Sequence, residues 1–120
     1  MINPQELRLG NLLHLYKENN LVEVIKIFEA HLEVHSVDLQ FWTEEINEFN
    51  PIPLTEEILL KCGFKQTKNL VGVRASYTFR EVRVSLSNSG HWYFKQRIIY
   101  LHDLQNIVFA LYGKELEVKI

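Results

Sequence analysis

The sequence predicts an α+β fold, with a β-meander lobe first and a helix–sheet–helix lobe after it. Three observations predict this. Residues 11–37 carry three short apolar runs of strand character. Two later segments, Pro51–Phe64 and Ile98–Leu116, each hold a helix with its own start and stop signals. Between those helices lie three runs of alternating apolar and polar residues joined by short connections, the pattern of antiparallel pairing.

The elements follow in order. Asn3-Pro4-Gln5-Glu6 is a capping pattern, with an asparagine side chain able to accept from the first-turn amides, a proline suited to the first helical position and a glutamate three residues after the cap. Gly10 follows so soon that one short helical turn is expected. Asn11–Tyr16 is an apolar strand, Lys17–Asn20 a turn, and Leu21–Phe28 a strand with Val22, Val24 and Phe28 on one face and Leu21, Ile25 and Ile27 on the other. Apolar residues on both faces suit a small closed barrel of the SH3-like kind. His31–Val37 is the third strand, with Leu32 and Val34 opposite His31, Glu33 and His35. Asp38–Asn50 is acidic, with Phe41, Trp42, Ile46 and Phe49 interleaved, and no element is predicted there.

Pro51 and Pro53 force an extended approach to the first long helix. Thr55 caps it, Glu56 and Glu57 occupy the first turn, where the helix dipole favours anions, and Gly63 stops it. The sheet strands are Val73–Phe79, Val82–Ser87 and His91–Tyr100. A three-residue loop Asn88-Ser89-Gly90 with Gly90 left-handed sets Leu86 against Trp92 and Val84 against Phe94, whereas a two-residue loop sets Val84 against Lys95. The apolar match favours the longer loop. Phe79 opposite Val82 likewise sets Tyr77 against Val84 and Ala75 against Leu86, although Arg80-Glu81 is poor chemistry for a tight turn. The last helix runs over Leu101–Tyr112, with Leu104, Val108 and Leu111 on the face expected to cover Val84, Leu86, Trp92 and Phe94. Leu116–Ile120 is a further short strand.

A chain of 120 residues suits one domain, here read as lobes 1–50 and 51–120 of one compact unit. The single Cys62 excludes an intrachain disulfide and fits a reducing compartment. The N-terminal residues lack a signal-peptide pattern, and no apolar run approaches the roughly 20 residues of a membrane span. These features predict a soluble, cytoplasmic protein with no membrane partner.

The net charge of −2 hides an asymmetry. Residues 1–60 hold three basic and eleven acidic side chains, and residues 61–120 hold ten basic and four acidic. Such a split points to a partner or to complementarity between the lobes.

Two constellations are candidates for chemistry. Under the register above, Arg74, Ser76, Thr78, Arg83, Ser85, Tyr93, Lys95 and Arg97 share the polar sheet face, preceded by Lys61, Lys65 and Lys68. Cations around an aromatic can follow a phosphate backbone and stack a base, so Arg74, Arg83, Tyr93, Lys95 and Arg97 are candidate nucleic-acid contacts. The plainer readings are an ordinary polar face or one packed on the acidic lobe. His31, Glu33 and His35 share a strand face and offer donors for zinc or iron; the plainer reading is a solvated face. His91 and His102 are read as structural or exposed. Cys62, at a helix C-terminus, is poorly placed to form a thiolate. No phosphate loop, paired-cysteine zinc motif or nucleophile turn is present, so no catalytic residue and no cofactor is assigned.

PIPLTEEILLKCGF, IIYLHDLQNIVFALYGKEL and the opening ELRLGN together resemble a family of short uncharacterised proteins common in Bacteroidetes genomes, phages and mobile elements. The resemblance implies this layout and a phage-type accessory role, and it implies no activity. The first functional reading is a non-enzymatic binding module acting through contacts with a protein partner. The second is nucleic-acid binding through the basic sheet face. The third is a metal-dependent enzyme at His31, Glu33 and His35. The oligomeric state stays open.

Overall fold

The computed structural model describes residues 2–15, 20–36, 41–67 and 72–119. It is an α+β structure with two antiparallel five-stranded sheets and two α-helices. The expected turn at Lys17–Asn20, the end of the third strand at Val37, Asp38 and Lys68 lie partly or wholly outside the described residues. The chain divides into two compact units, Met1–Ile52 with Leu101–Asn106, and Pro53–Tyr100 with Ile107–Ile120.

The first unit holds strands β1 (Leu12–Leu15), β2 (Asn20–Ile27), β3 (His31–Ser36), β4 (Phe41–Glu45) and β5 (Phe49–Asn50), in the order β4-β3-β2-β1-β5. A 3-10 turn spans Pro4–Glu6, as the capping pattern predicts, and a second spans Ile46–Glu48. Period-two alternation sends Leu13, Leu15, Val22, Val24, Leu32 and Val34 inward, and Phe49, Ile2 and Leu7 complete the core. Burial contributes roughly 1.5–3 kcal/mol for each such side chain. The register of β2 on β3 slips between Val24 and Lys26, leaving Ile25 as a bulge. The slip re-aims the following residues, so Lys26 faces Glu33 and Ile27 faces Leu32.

β4 and β5 are absent from the sequence expectation. β4 pairs along its whole length with β3, from His31 opposite Glu45 to His35 opposite Phe41. β5 returns to β1, with Leu15 opposite Phe49.

Two helices, α1 (Glu56–Lys61) and α2 (Leu101–Tyr112), match the two strongest sequence signals. The start of α2 belongs to the first unit and is tied to its N-terminal residues by a polar network. Gln105 accepts from the Leu12 N–H through Oε1 at 2.9 Å and donates to the Gly10 carbonyl at 3.3 Å. Asn106 Oδ1 accepts from Asn11 Nδ2 at 2.8 Å and from Arg8 Nε at 3.2 Å, and Asn106 Nδ2 donates to the Glu6 carbonyl at 2.8 Å. Asn11 and Gln105 are fully buried, and these bonds are what makes their burial tolerable.

The second unit opens with α1. Thr55 caps it by accepting from the Ile58 N–H at 3.2 Å, and Gly63 ends it at φ 89°, a conformation that costs glycine little. Its sheet holds β6 (Lys65–Thr67), β7 (Ala75–Phe79), β8 (Val82–Leu86), β9 (Trp92–Phe94) and β10 (Gln96–Ile98), in that spatial order. The hairpin registers are those the apolar pattern predicts: Phe79 opposite Val82, Tyr77 opposite Val84, Ala75 opposite Leu86, and Leu86 opposite Trp92. Gly90 is left-handed at φ 88° in the loop between β8 and β9.

The sheet has five strands instead of the three expected. Lys65–Thr67 adds an edge strand. The long strand expected over His91–Tyr100 breaks at Lys95, whose φ of 60° reverses the chain, so β10 folds back on β9 with Arg97 opposite Tyr93. Leu116–Lys119 forms no strand; the Lys119 N–H instead donates to the Lys61 carbonyl at 2.9 Å. Leu104 and Val108 are buried as expected, but Leu111 is 55% exposed and takes no part in a core. Among the described residues no helix is long and apolar enough to cross a membrane.

Candidate nucleic-acid interface

Directly opposed residues of antiparallel strands point to the same side, so the pairing sorts the second sheet into two faces. One carries Ala75, Tyr77, Val82, Val84, Trp92 and Ile98, all buried. The Tyr77 and Trp92 rings pack 5.6 Å apart, and Phe64, just past α1, sits 5.4 Å from the Phe79 ring. The Tyr77 hydroxyl meets Glu56 of α1, and burial together with that carboxylate pushes its pKa up. Glu56 of α1 therefore reaches the apolar face.

The opposite face is polar and basic. One row across it reads Lys65, Thr78, Arg83, and the next reads Thr67, Ser76, Ser85, Tyr93, Arg97. Lys65, Arg83 and Arg97 are exposed, and Tyr93 is 39% exposed between Ser85 and Arg97. Ser76, at the middle, is buried. Neither row contains a carboxylate, so nothing within them neutralises the cations. Hydroxyls and guanidiniums are the groups that hold phosphate oxygens, and an exposed phenol ring offers a stacking surface.

The five sequence candidates divide. Arg83, Tyr93 and Arg97 come together on these rows. Arg74 flanks them, exposed, with its guanidinium donating to the Asn88 carbonyl at 2.7 Å. Lys95 leaves the face because the chain reverses there; its ammonium lies 5.8 Å from the Phe94 ring centre. Lys65 joins through β6, a strand the sequence does not announce.

The three metal candidates are not gathered. His35 bonds across the strands to Glu23, and Glu33 lies 3.6 Å from Lys26. The Glu23 carboxylate raises the His35 pKa. Among the described residues the one group of three converging metal-type donors is Glu6, His102 and Asp103, in the first unit. Cys62 is buried, and desolvation pushes its thiol up to about 12, which rules out a thiolate near neutrality.

A groove of about 810 Å³ opens beside α1 in the second unit, lined by Leu60, Phe79, Arg80, Val108, Tyr112 and Leu116 among others. Arg80 holds φ 54° there, unusual for a residue other than glycine. Its guanidinium lies 5.5 Å from the Phe79 ring centre and 5.2 Å from that of Tyr112, whose hydroxyl accepts from the Glu81 N–H at 3.0 Å.

Comparison with protein families, curated proteins and solved structures finds no match to this chain.

Proposed function

We propose that this chain is a non-enzymatic, cytoplasmic binding module of the mobile-element accessory kind, and that its ligand is single-stranded nucleic acid held on the basic face of the second sheet. One observation carries the reading: Lys65, Arg83 and Arg97 stand exposed on the same sheet face as Tyr93, in two rows without a carboxylate. The second unit as a whole has ten basic and five acidic residues, a field that draws a polyanion. We also read the first unit as an SH3-like barrel. A four-strand meander, a 3-10 turn and a fifth strand returning to the first support that reading.

Fluorescence anisotropy with a labelled single-stranded oligonucleotide tests the function. Binding should be clear at low salt and weaken steeply with added salt, because each neutralised phosphate releases counterion, with a slope near 0.7 per contact. Absence of binding at low salt rejects the reading. The groove favours a second one, in which an apolar side chain of a partner protein enters between Leu60, Phe79 and Tyr112; Leu60 is 51% exposed.

A further inference from the structure

The start of α2 places a buried imidazole between two carboxylates. His102 is 1% exposed, and its Nε2 lies 3.6 Å from Glu6 Oε2 and 3.6 Å from Asp103 Oδ1. The three donor atoms all lie within 4.8 Å of one another. A separation of 3.6 Å is too long for a hydrogen bond. The contrast within this protein is direct: the His35 imidazole hydrogen-bonds the Glu23 carboxylate, whereas both carboxylates lie 3.6 Å from His102. An ion with bonds of about 2.1 Å holds neighbouring donors about 3.0–3.4 Å apart, so the two 3.6 Å separations lie just beyond an edge of a coordination polyhedron.

The surrounding residues fix this arrangement. Glu6 is at the end of the N-terminal 3-10 turn, and its carbonyl accepts from Asn106, one helical turn beyond His102 on α2. Asn106 is itself held by Asn11 and Arg8. Glu6 is thus attached to the helix that carries the other two donors by a bond that does not use its carboxylate. Glu6 and Asp103 are 51% and 33% exposed, so the carboxylate side is open to entry from water while the imidazole side is dry.

We propose that Glu6, His102 and Asp103 bind one divalent transition-metal ion. Two carboxylates and an imidazole are the donor set of zinc, manganese and ferrous iron, and zinc should bind more tightly than manganese. Two formal negative charges offset the ion against the positive end of the α2 dipole, which opposes it. Three donors leave coordination positions for water, as in open metal sites and unlike closed structural ones.

Isothermal titration of the full chain with Zn²⁺, then Mn²⁺ and Mg²⁺, tests this. One Zn²⁺ per chain should bind, with Mn²⁺ weaker and Mg²⁺ weaker still, and bound Zn²⁺ should raise the melting temperature by mass action. Glu6→Gln and Asp103→Asn, both substitutions of partly exposed side chains, should each weaken Zn²⁺ by about tenfold or more while leaving a cooperative unfolding transition. Nitrogen coupling in the electron spin echo of bound Mn²⁺ should report the His102 imidazole. No Zn²⁺ binding below about 1 mM overturns the proposal. So does Zn²⁺ binding that neither substitution weakens, since the ion then sits at other histidines.

Discussion

Arg80 adopts a conformation whose cost is offset by its neighbours. A left-handed backbone costs an L-residue with a side chain roughly 1–2 kcal/mol. Against this stand the two aromatic rings under its guanidinium, each worth about 0.5–1 kcal/mol at an exposed site, and the adjacent Glu81–Tyr112 hydrogen bond. Arg80→Ala keeps the strain and loses the ring contacts, while Arg80→Gly loses both. Chemical denaturation should therefore find Arg80→Ala less stable than Arg80→Gly by about 1 kcal/mol. Equal stabilities would mean that the turn relaxes when the side chain is removed. His35 gives a second prediction. Its hydrogen bond to Glu23 raises its folded pKa, so its contribution is fully present below the unfolded value of about 6.5 and is lost as pH rises through the folded value. The stability advantage of the wild type over Glu23→Gln should be larger near about pH 5.5 than near about pH 8. His14, pushed down by burial, contributes with the opposite sign, losing stability as pH falls, but it is common to both proteins and cancels.

At the scale of elements, α2 depends on two kinds of contact. Leu104 is fully buried, and Leu104→Ala should cost on the order of 2–5 kcal/mol. Gln105→Ala strands the Leu12 N–H and the Gly10 carbonyl and should cost about 1–3 kcal/mol, read as a fall in denaturation midpoint. A Gln105→Ala protein as stable as the wild type would show that water replaces the amide. The helices and the hairpins from β7 to β9 are legible in the sequence because their information is local. Thr55 and Gly63 bracket α1, and apolar alternation leaves one workable register for Val84, Leu86 and Trp92. β5 is two residues long and is defined only by its pairing with β1, which no local pattern reveals. The reversal at Lys95 is hidden for another reason: lysine has no preference for positive φ, so the residues on either side read as one strand.

For the whole molecule, charge is the organising feature. The second unit holds ten basic and five acidic residues, the first three and ten. Alternation alone placed Arg83, Tyr93 and Arg97 on one face. It also placed Lys95 there, which the reversal removes, and it missed that β6 aligns Lys65 with Arg83 across Thr78. The Glu6–His102–Asp103 group was not legible, because Glu6 and the two α2 residues come from opposite ends of the chain. If the basic face binds nucleic acid, Arg83→Ala with Arg97→Ala should flatten the salt dependence by roughly one unit per lost phosphate contact, and Tyr93→Ala should cost about 1–3 kcal/mol. The most direct measurement is nuclear magnetic resonance of the labelled protein titrated with a single-stranded oligonucleotide. Amide shifts should move at Lys65, Thr78, Arg83, Ser85, Tyr93 and Arg97, in the order of the sheet rows. Shifts confined to Leu60, Phe79, Arg80 and Tyr112, or no shifts at low salt, would contradict the assignment of the basic face.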